Sequence, residues 1–133
     1  MILTDAGPLI ALLDRGEPDH LKCQEASVRL HGPLLTTWPA FTEAIYLLGQ
    51  AGGWIAQEPL WRLLRRGDLI VEMPQQLERI ATLMSKYQSV PMDLADASLV
   101  ALAEERGLTT IFTLDRNFRI YRLSRSRAFT IIP

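Results

Sequence analysis

The chain has 133 residues, of which 48% are hydrophobic and 22% are charged, and its formal net charge is −1. These proportions are typical of a globular domain and exclude an intrinsically disordered chain. No apolar run approaches the roughly 20 residues that cross a bilayer, and the length fits one domain, which we predict to span residues 1–133.

The start of the chain and its cysteine content bear on the cellular compartment. Residues 1–5 lack the basic start and the long apolar stretch of a signal peptide. The single cysteine, Cys23, has no second cysteine with which to form a disulfide within the chain. Both observations favour a reducing cytoplasm.

The charge is unevenly distributed. Five arginines and no acid lie between Arg116 and Pro133, so the rest of the chain carries a net charge of −6. Only Lys22 and Lys86 among the 14 basic residues are lysines. Arginine suits bidentate contact with phosphate groups, although an ordinary solvated face explains the same tail.

The first half of the chain is predicted to contain two strands and three helices. Pro8 suits a first helical turn, because its fixed φ and missing N–H are tolerated there. Gly32 and Pro33 stop one helix, and a group of glycines from Gly49 onward ends another. In chain order we predict a strand at Met1–Thr4, helices at Pro8–Leu13 and Asp19–Leu30, a strand at Leu34–Thr36 and a helix at Ala40–Leu48.

The second half continues the alternation. Leu77, Ile80 and Met84 recur at helical spacing, and Gly107 suits the position that follows a helix C-terminus. We predict a helix at Ala56–Arg66, a strand at Leu69–Val71, helices at Gln75–Tyr87 and Asp93–Arg106, and strands at Thr110–Leu114 and Phe129–Ile132.

This order of elements predicts an α/β sandwich with a largely parallel central sheet. The strands are short and almost continuously apolar, as expected when both faces of a sheet are covered. Ligands of such sheets bind beyond the carboxyl ends of the strands. Asp5 and Asp115 each come directly after a strand, so we expect both at that edge.

Two further acids lie in the early turns of apolar predicted helices. Glu43 has only uncharged neighbours at a distance of three and four residues, among them Pro39 and Tyr46. Asp96 has one charged neighbour at that spacing, Asp93, which is also an acid. No lysine lies close in the sequence to neutralise the charge of either acid.

Each acid also has a structural explanation. Asp5 would cap a helix, and Asp115 would stabilise a turn. Glu43 would be stabilised by the dipole of a helix near its N-terminus. Asp93 and Asp96 would be the N-cap and the third residue of one helix. If the fold instead brings the acids together, a divalent cation is the simplest compensation for carboxylates in apolar surroundings, and the chain would be a metal-dependent enzyme.

Four short motifs contain these acids. They are Thr4-Asp5-Ala6-Gly7-Pro8-Leu9, Glu43 in the third predicted helix, Leu94-Ala95-Asp96-Ala97, and Thr113-Leu114-Asp115-Arg116-Asn117-Phe118. The ordered set resembles the motifs of PIN-domain ribonucleases, and especially those of VapC-type toxins from bacterial toxin–antitoxin pairs. The likeness extends over essentially the whole chain in order, spacing and length.

The resemblance implies a three-layer α/β/α sandwich around about five parallel strands, with an acidic cluster that holds Mg²⁺ or Mn²⁺. It assigns catalysis and metal binding to the four acids, with a fifth as an accessory metal ligand. By position these are Asp5, Glu43, Asp96 and Asp115, with Asp93 as the accessory acid. Thr113 and Asn117 match supporting polar positions. Many members carry a hydroxyl residue where this chain has Gly7, which puts one water-positioning contact in question.

The implied activity is endoribonucleolytic hydrolysis of RNA phosphodiester bonds by a metal-activated water. The implied partners are RNA, a cognate antitoxin and a second copy of the chain. Arg116, Arg119 and Arg122 lie just past the fourth acid and are expected to steer the RNA backbone. Two apolar stretches, Ile45–Leu48 and Trp54–Trp61, would line partner surfaces or belong to the core.

Two other functions fit parts of the pattern. A phosphotransfer protein that forms an aspartyl phosphate also uses Mg²⁺ and acids at strand ends. It requires either a lysine after a late strand, where neither Lys22 nor Lys86 lies, or an aspartate where this chain has Gly7. A non-catalytic RNA- or protein-binding module with the PIN fold would tolerate the loss of acids, yet all four are present.

Overall fold

A five-stranded sheet forms the centre of the molecule in the computed structural model, which describes residues 1–133. The chain contains seven strands in all: β1 (Ile2–Thr4), β2 (Leu34–Thr37), β3 (Leu69–Glu72), β4 (Thr110–Phe112), β5 (Arg122–Leu123), β6 (Arg127–Ala128) and β7 (Thr130–Ile132). The sheet has the order β3-β2-β1-β4-β7, and every neighbouring pair is parallel. The predicted parallel sheet of about five strands is confirmed.

Five α-helices flank the sheet. They are α1 (Ala6–Leu13), α2 (His20–Ser27), α3 (Trp38–Arg66), α4 (Leu77–Lys86) and α5 (Leu94–Arg106). None of them combines the length and the apolar character that a membrane crossing requires. Apart from the middle of α3, the predicted boundaries of helices and sheet strands agree with the observed ones to within three residues.

Alternate strand residues face opposite helical layers. Leu3, Leu35 and Ile111 join the largest buried cluster, to which α4 and α5 contribute. Other strand residues face the opposite side, where Leu69 packs with α1 and α3 and Phe112 packs with α1 and α2. Because successive strand residues point to opposite faces, the apolar runs fill two cores and produce the three-layer sandwich.

The long helix α3 consists of two helical halves separated at glycines, in agreement with the two helices that were predicted there. It continues from Trp38 to Arg66, with a local break where Gly52 (φ −155°) and Gly53 (φ 63°) leave the helical region. Across this break the side chain of Gln57 donates a hydrogen bond to the carbonyl of Ile45 at 2.9 Å. A Cβ at Gly49 would collide with that side chain, so the glycines allow the two halves to pack closely and not to separate.

The segment after β4 folds over the carboxyl edge of the sheet. A 3-10 helix at Arg116–Arg119 forms there, and the chain then packs against α5 through the antiparallel β5–β6 pair before it enters β7. Neither feature was predicted. The 3-10 turn and the residues that follow it bury Phe118 and Tyr121 completely. The irregular segment therefore contributes core side chains right beside the edge at which ligands were expected.

Candidate metal centre

Asp5 lies at the junction of β1 and α1, where it is 7% exposed. One carboxylate oxygen accepts the N–H of Ala6 at 2.8 Å and caps α1, and the other accepts the hydroxyl proton of Thr113 at 2.8 Å. Its own N–H donates to the carbonyl of Phe112 at 2.9 Å. The parallel pairing of β1 and β4 thus brings Asp5 to the chain that leaves β4.

Asp115 lies two residues after Thr113 and is half-buried. Its N–H donates to the hydroxyl oxygen of Thr113 at 3.0 Å, and its carboxylate accepts the N–H of Asn117 at 2.9 Å. One threonine hydroxyl therefore links the side chain of Asp5 to the backbone of Asp115. This geometry supports the predicted supporting role of Thr113.

Asp96 comes from the first turn of α5 and is 6% exposed. Its N–H donates to the carboxylate of Asp93, which is the N-cap of the helix, at 2.8 Å. One oxygen of the Asp96 carboxylate accepts the hydroxyl proton of Tyr121 at 2.7 Å. The helix cap and the tyrosine together fix where this acid points.

The three carboxylates converge at the carboxyl edge of the sheet. Oxygen atoms of Asp5, Asp96 and Asp115 all lie within 4.8 Å of one another, and no lysine or arginine forms an ion pair with any of them. A set of carboxylate oxygens is the donor set that hard divalent cations prefer. These residues therefore fit a bound divalent metal ion.

Glu43 and Asp93 lie around this cluster but are not members of it. Glu43 is exposed near the start of α3, and burial, followed by the charges of Asp93 and Asp115, raises its pKa. Glu43, Asp93 and Asp115 are therefore close enough for their charges to interact. Asp93 is exposed and has a definite structural role as the cap of α5, one of the two roles left open by the sequence.

The electrostatic environment disfavours charge on the two most buried acids. Burial raises the pKa of Asp5 to about 6, although the two hydrogen bonds that it accepts act in the opposite direction. Burial also raises the pKa of Asp96 well above the ordinary carboxyl range; the hydrogen bond from Tyr121 opposes this effect, and the negative charge of Asp93 adds to it. A cation bound among the carboxylates would offset this cost.

Tyr121 is a member of the site that the sequence did not indicate. Its ring packs edge-on against Tyr87 and Phe118, with centroid distances of 5.1 Å to each, while its hydroxyl reaches Asp96. Burial, and then this contact with Asp96, raises the pKa of the phenol, so the tyrosine acts as a neutral hydrogen-bond donor. No spacing in the sequence relates the two residues, which are brought together by the fold alone.

The remaining predicted residues differ in what they contribute. Asn117 supports Asp115 through its backbone N–H, and its side chain makes no hydrogen bond to the protein. Arg116 and Arg119 are exposed beside Asp115. One terminal nitrogen of Arg122 is instead held by the carbonyls of three consecutive residues, 119, 120 and 121, at 2.6, 3.1 and 2.9 Å.

The hydroxyl of Tyr121 is expected to strengthen metal binding by orienting Asp96. We expect Tyr121→Phe to weaken Mn²⁺ binding by roughly tenfold, the usual effect of losing a hydrogen bond to a ligand, when the metal-free protein is titrated calorimetrically. Tyr87→Phe is the matched control, because its hydroxyl accepts the N–H of Arg122 and touches no acid. Equal Mn²⁺ affinities for the two variants would contradict this role.

The raised pKa of Asp5 predicts how the stability of the metal-free protein depends on pH. The folded state holds the proton more tightly than the unfolded chain, so this contribution is complete below the ordinary value of 3.8 and is lost as the pH rises through about 6. Asp5→Asn should therefore melt at a higher temperature than the parent at about pH 8, with a smaller difference at about pH 5. Added Mn²⁺ should raise the melting temperature of the parent only. A difference that does not depend on pH would refute this assignment.

Comparisons with known proteins agree with the motifs and the geometry. The PIN domain family model matches residues 2–123. A relative named Ribonuclease VapC26, from Mycobacterium tuberculosis, is 31% identical over 135 residues, which cover 99% of this chain and 100% of that protein. The crystal structure of the Mycobacterium tuberculosis toxin VapC20, described as cleaving the sarcin–ricin loop, matches with a TM-score of 0.84 at 18% identity over 96% of this chain and 99% of that one, a likeness of fold. The chain belongs to the PIN-domain family.

Proposed function

We propose that this PIN-domain protein is a metal-dependent endoribonuclease and the toxin of a bacterial toxin–antitoxin pair. The observation that carries the proposal is the convergence of the Asp5, Asp96 and Asp115 carboxylates within 4.8 Å at the carboxyl edge of the sheet. A relative of the same length, 31% identical, is named as a ribonuclease. Acids in this arrangement repel a phosphodiester unless a cation lies between them.

Mg²⁺ or Mn²⁺ is the ion that suits these ligands. Both prefer carboxylate oxygens and retain several waters, so three protein carboxylates leave room for water and for substrate. When bound, such an ion supplies an acidified water and neutralises charge on the phosphodiester. The protein supplies the geometry: Thr113 holds Asp5 in register with Asp115, and Tyr121 engages one oxygen of Asp96 and leaves the other for the metal.

Glu43 and Asp93 extend the acidic surface outward from the three central carboxylates. The exposed carboxylate of Glu43 can accept a hydrogen bond from a water molecule beside the cluster. Neither histidine competes for that role, because His20 is tied by Nδ1 to the carbonyl of Ala11 at 2.6 Å and His31 is exposed beyond the end of α2. We therefore assign catalysis to the acids alone.

The direct test is cleavage of a panel of cellular RNAs in Mg²⁺, in Mn²⁺ and in EDTA. We expect cleavage with either metal, none in EDTA, and a loss of about 100-fold or more in rate for Asp5→Asn and for Glu43→Gln, since each removes a carboxylate at the site. Glu78→Gln is the matched control, because Glu78 is an exposed acid in the first turn of α4. Its rate should equal that of the parent.

The same assay separates the other functions. Metal-dependent cleavage that persists in Asp5→Asn and Glu43→Gln would exclude the proposed site. Binding of RNA without cleavage under any metal condition would favour the non-catalytic module. An aspartyl-phosphate function would require a phosphorylated intermediate, for which Gly7 leaves no second aspartate and neither lysine follows a strand.

The proposed partners are RNA, an antitoxin protein and a second copy of the chain. An exposed apolar surface on α3 suits a protein partner: Tyr46 is 61% exposed, Trp54 59% and Ile55 86%. Exposed apolar side chains of this size are typical of contact sites between proteins. We propose homodimerisation through this surface and, from the free, buried Cys23, a cytoplasmic location.

A charge within that surface should abolish the homodimer. Ile55→Glu is expected to sediment as a monomer where the parent sediments as a dimer, because a carboxylate would be buried without a partner. Leu21→Glu is the control, since Leu21 on α2 is 68% exposed and lies on a different helix. The proposal fails if the parent is monomeric, or if both variants sediment like a dimeric parent.

A further inference from the structure

A cavity of about 270 Å³ adjoins the metal centre on the side of α2. Its lining includes Lys22 from α2, Arg116 and Arg119 from the 3-10 helix, and Asp115 itself. Asp115 therefore belongs both to the acidic cluster and to the wall of this cavity. A polymer bound at the metal would have a direct path into it.

The three cations of the cavity lack protein partners. None of them forms an ion pair within 4.0 Å of a carboxylate, and none donates a side-chain hydrogen bond to the protein. Other arginines of the chain do find carboxylate partners, as Arg79 does with Glu104 and Arg106 with Glu72. The lining also contains Asp19 and Asp115, so three positive and two negative charges surround the cavity. A cation at the metal centre would compensate Asp115, and the net positive charge that remains would attract an anionic ligand.

Lys22 was not among the residues expected to contact RNA. It is more than 90 positions away in the sequence from the two arginines, and only the packing of α2 beside the chain after β4 brings it to the same cavity. Arg122, which was expected to contact RNA, does not line the cavity, and part of its guanidinium is held by backbone carbonyls. Lys22 therefore stands in place of Arg122 among the three cations that line the cavity.

We propose that Lys22, Arg116 and Arg119 form a phosphate subsite that holds the RNA backbone next to the phosphodiester at the metal centre. The inference rests on the proposed ribonuclease function and adds the direction in which the strand leaves the acids. Phosphate oxygens accept charge-assisted hydrogen bonds from all three cations. Leu114 and Ile131 in the same wall offer apolar contact to a ribose.

The test measures binding of a short, fluorescein-labelled, single-stranded RNA of mixed sequence to the full chain in Ca²⁺ over a range of KCl concentrations. We expect Lys22→Ala to weaken binding by about fivefold and to lower the slope of log K against log salt by about 0.7, the value for one lost phosphate contact on a single strand. Lys86→Ala is the matched control, because Lys86 on α4 is the only other lysine and does not line the cavity. Mn²⁺ affinity and melting temperature should be the same in both variants.

The outcomes separate this inference from the function on which it rests. If the parent cleaves and binds RNA but Lys22→Ala matches Lys86→Ala in affinity and slope, the subsite is wrong and the function stands. If the parent neither binds nor cleaves RNA, the proposed function fails and the subsite fails with it. If Lys22→Ala instead loses affinity only for an acidic peptide added as a competitor, the cavity is a protein-binding site and the RNA assignment is overturned.

Discussion

The hydrogen bonds around Asp5 are the interaction on which the rest of the site depends. The Asp5 carboxylate caps α1 and accepts the hydroxyl proton of Thr113, while its N–H pairs with the carbonyl of Phe112. The same hydroxyl accepts the N–H of Asp115. Adjacent parallel strands end at one edge of the sheet, so a single threonine sets the distance between two acids that are 110 residues apart.

The protein by itself does not compensate the charge of the ionised site. Burial of Asp5 and Asp96 raises the pKa of both, so the fold by itself favours their protonated forms. Metal binding must release those protons, which makes it dependent on pH and couples it to folding. The hydrogen bonds from Thr113 and Tyr121 act in the same direction as a metal, since both stabilise the ionised form. The protein thus positions the carboxylates but does not fully compensate their charge.

Sequence patterns predicted the parts of the site that depend on regular elements. Asp5 and Asp115 were expected at the sheet edge because both follow strands, and Asp96 was found in the first turn of a helix as its spacing from Asp93 required. Tyr121 was not predictable, because its contact with Asp96 depends on how an irregular segment packs over the sheet. The break in α3 was predictable from its glycines, but the close packing of its two halves, in which Gln57 contacts the carbonyl of Ile45, was not.

The two kinds of charge at this edge of the sheet have different physical properties. Asp5 and Asp96 are buried, so salt screens their charges little. The cations of the neighbouring cavity are exposed or border solvent, so their attraction for a phosphate backbone weakens as salt increases. Asp115 belongs to the acidic cluster and also lines the cavity. In the proposed subsite, substitutions on α2 would therefore change how an RNA strand is held without altering the three clustered acids, which lie on other elements of the fold.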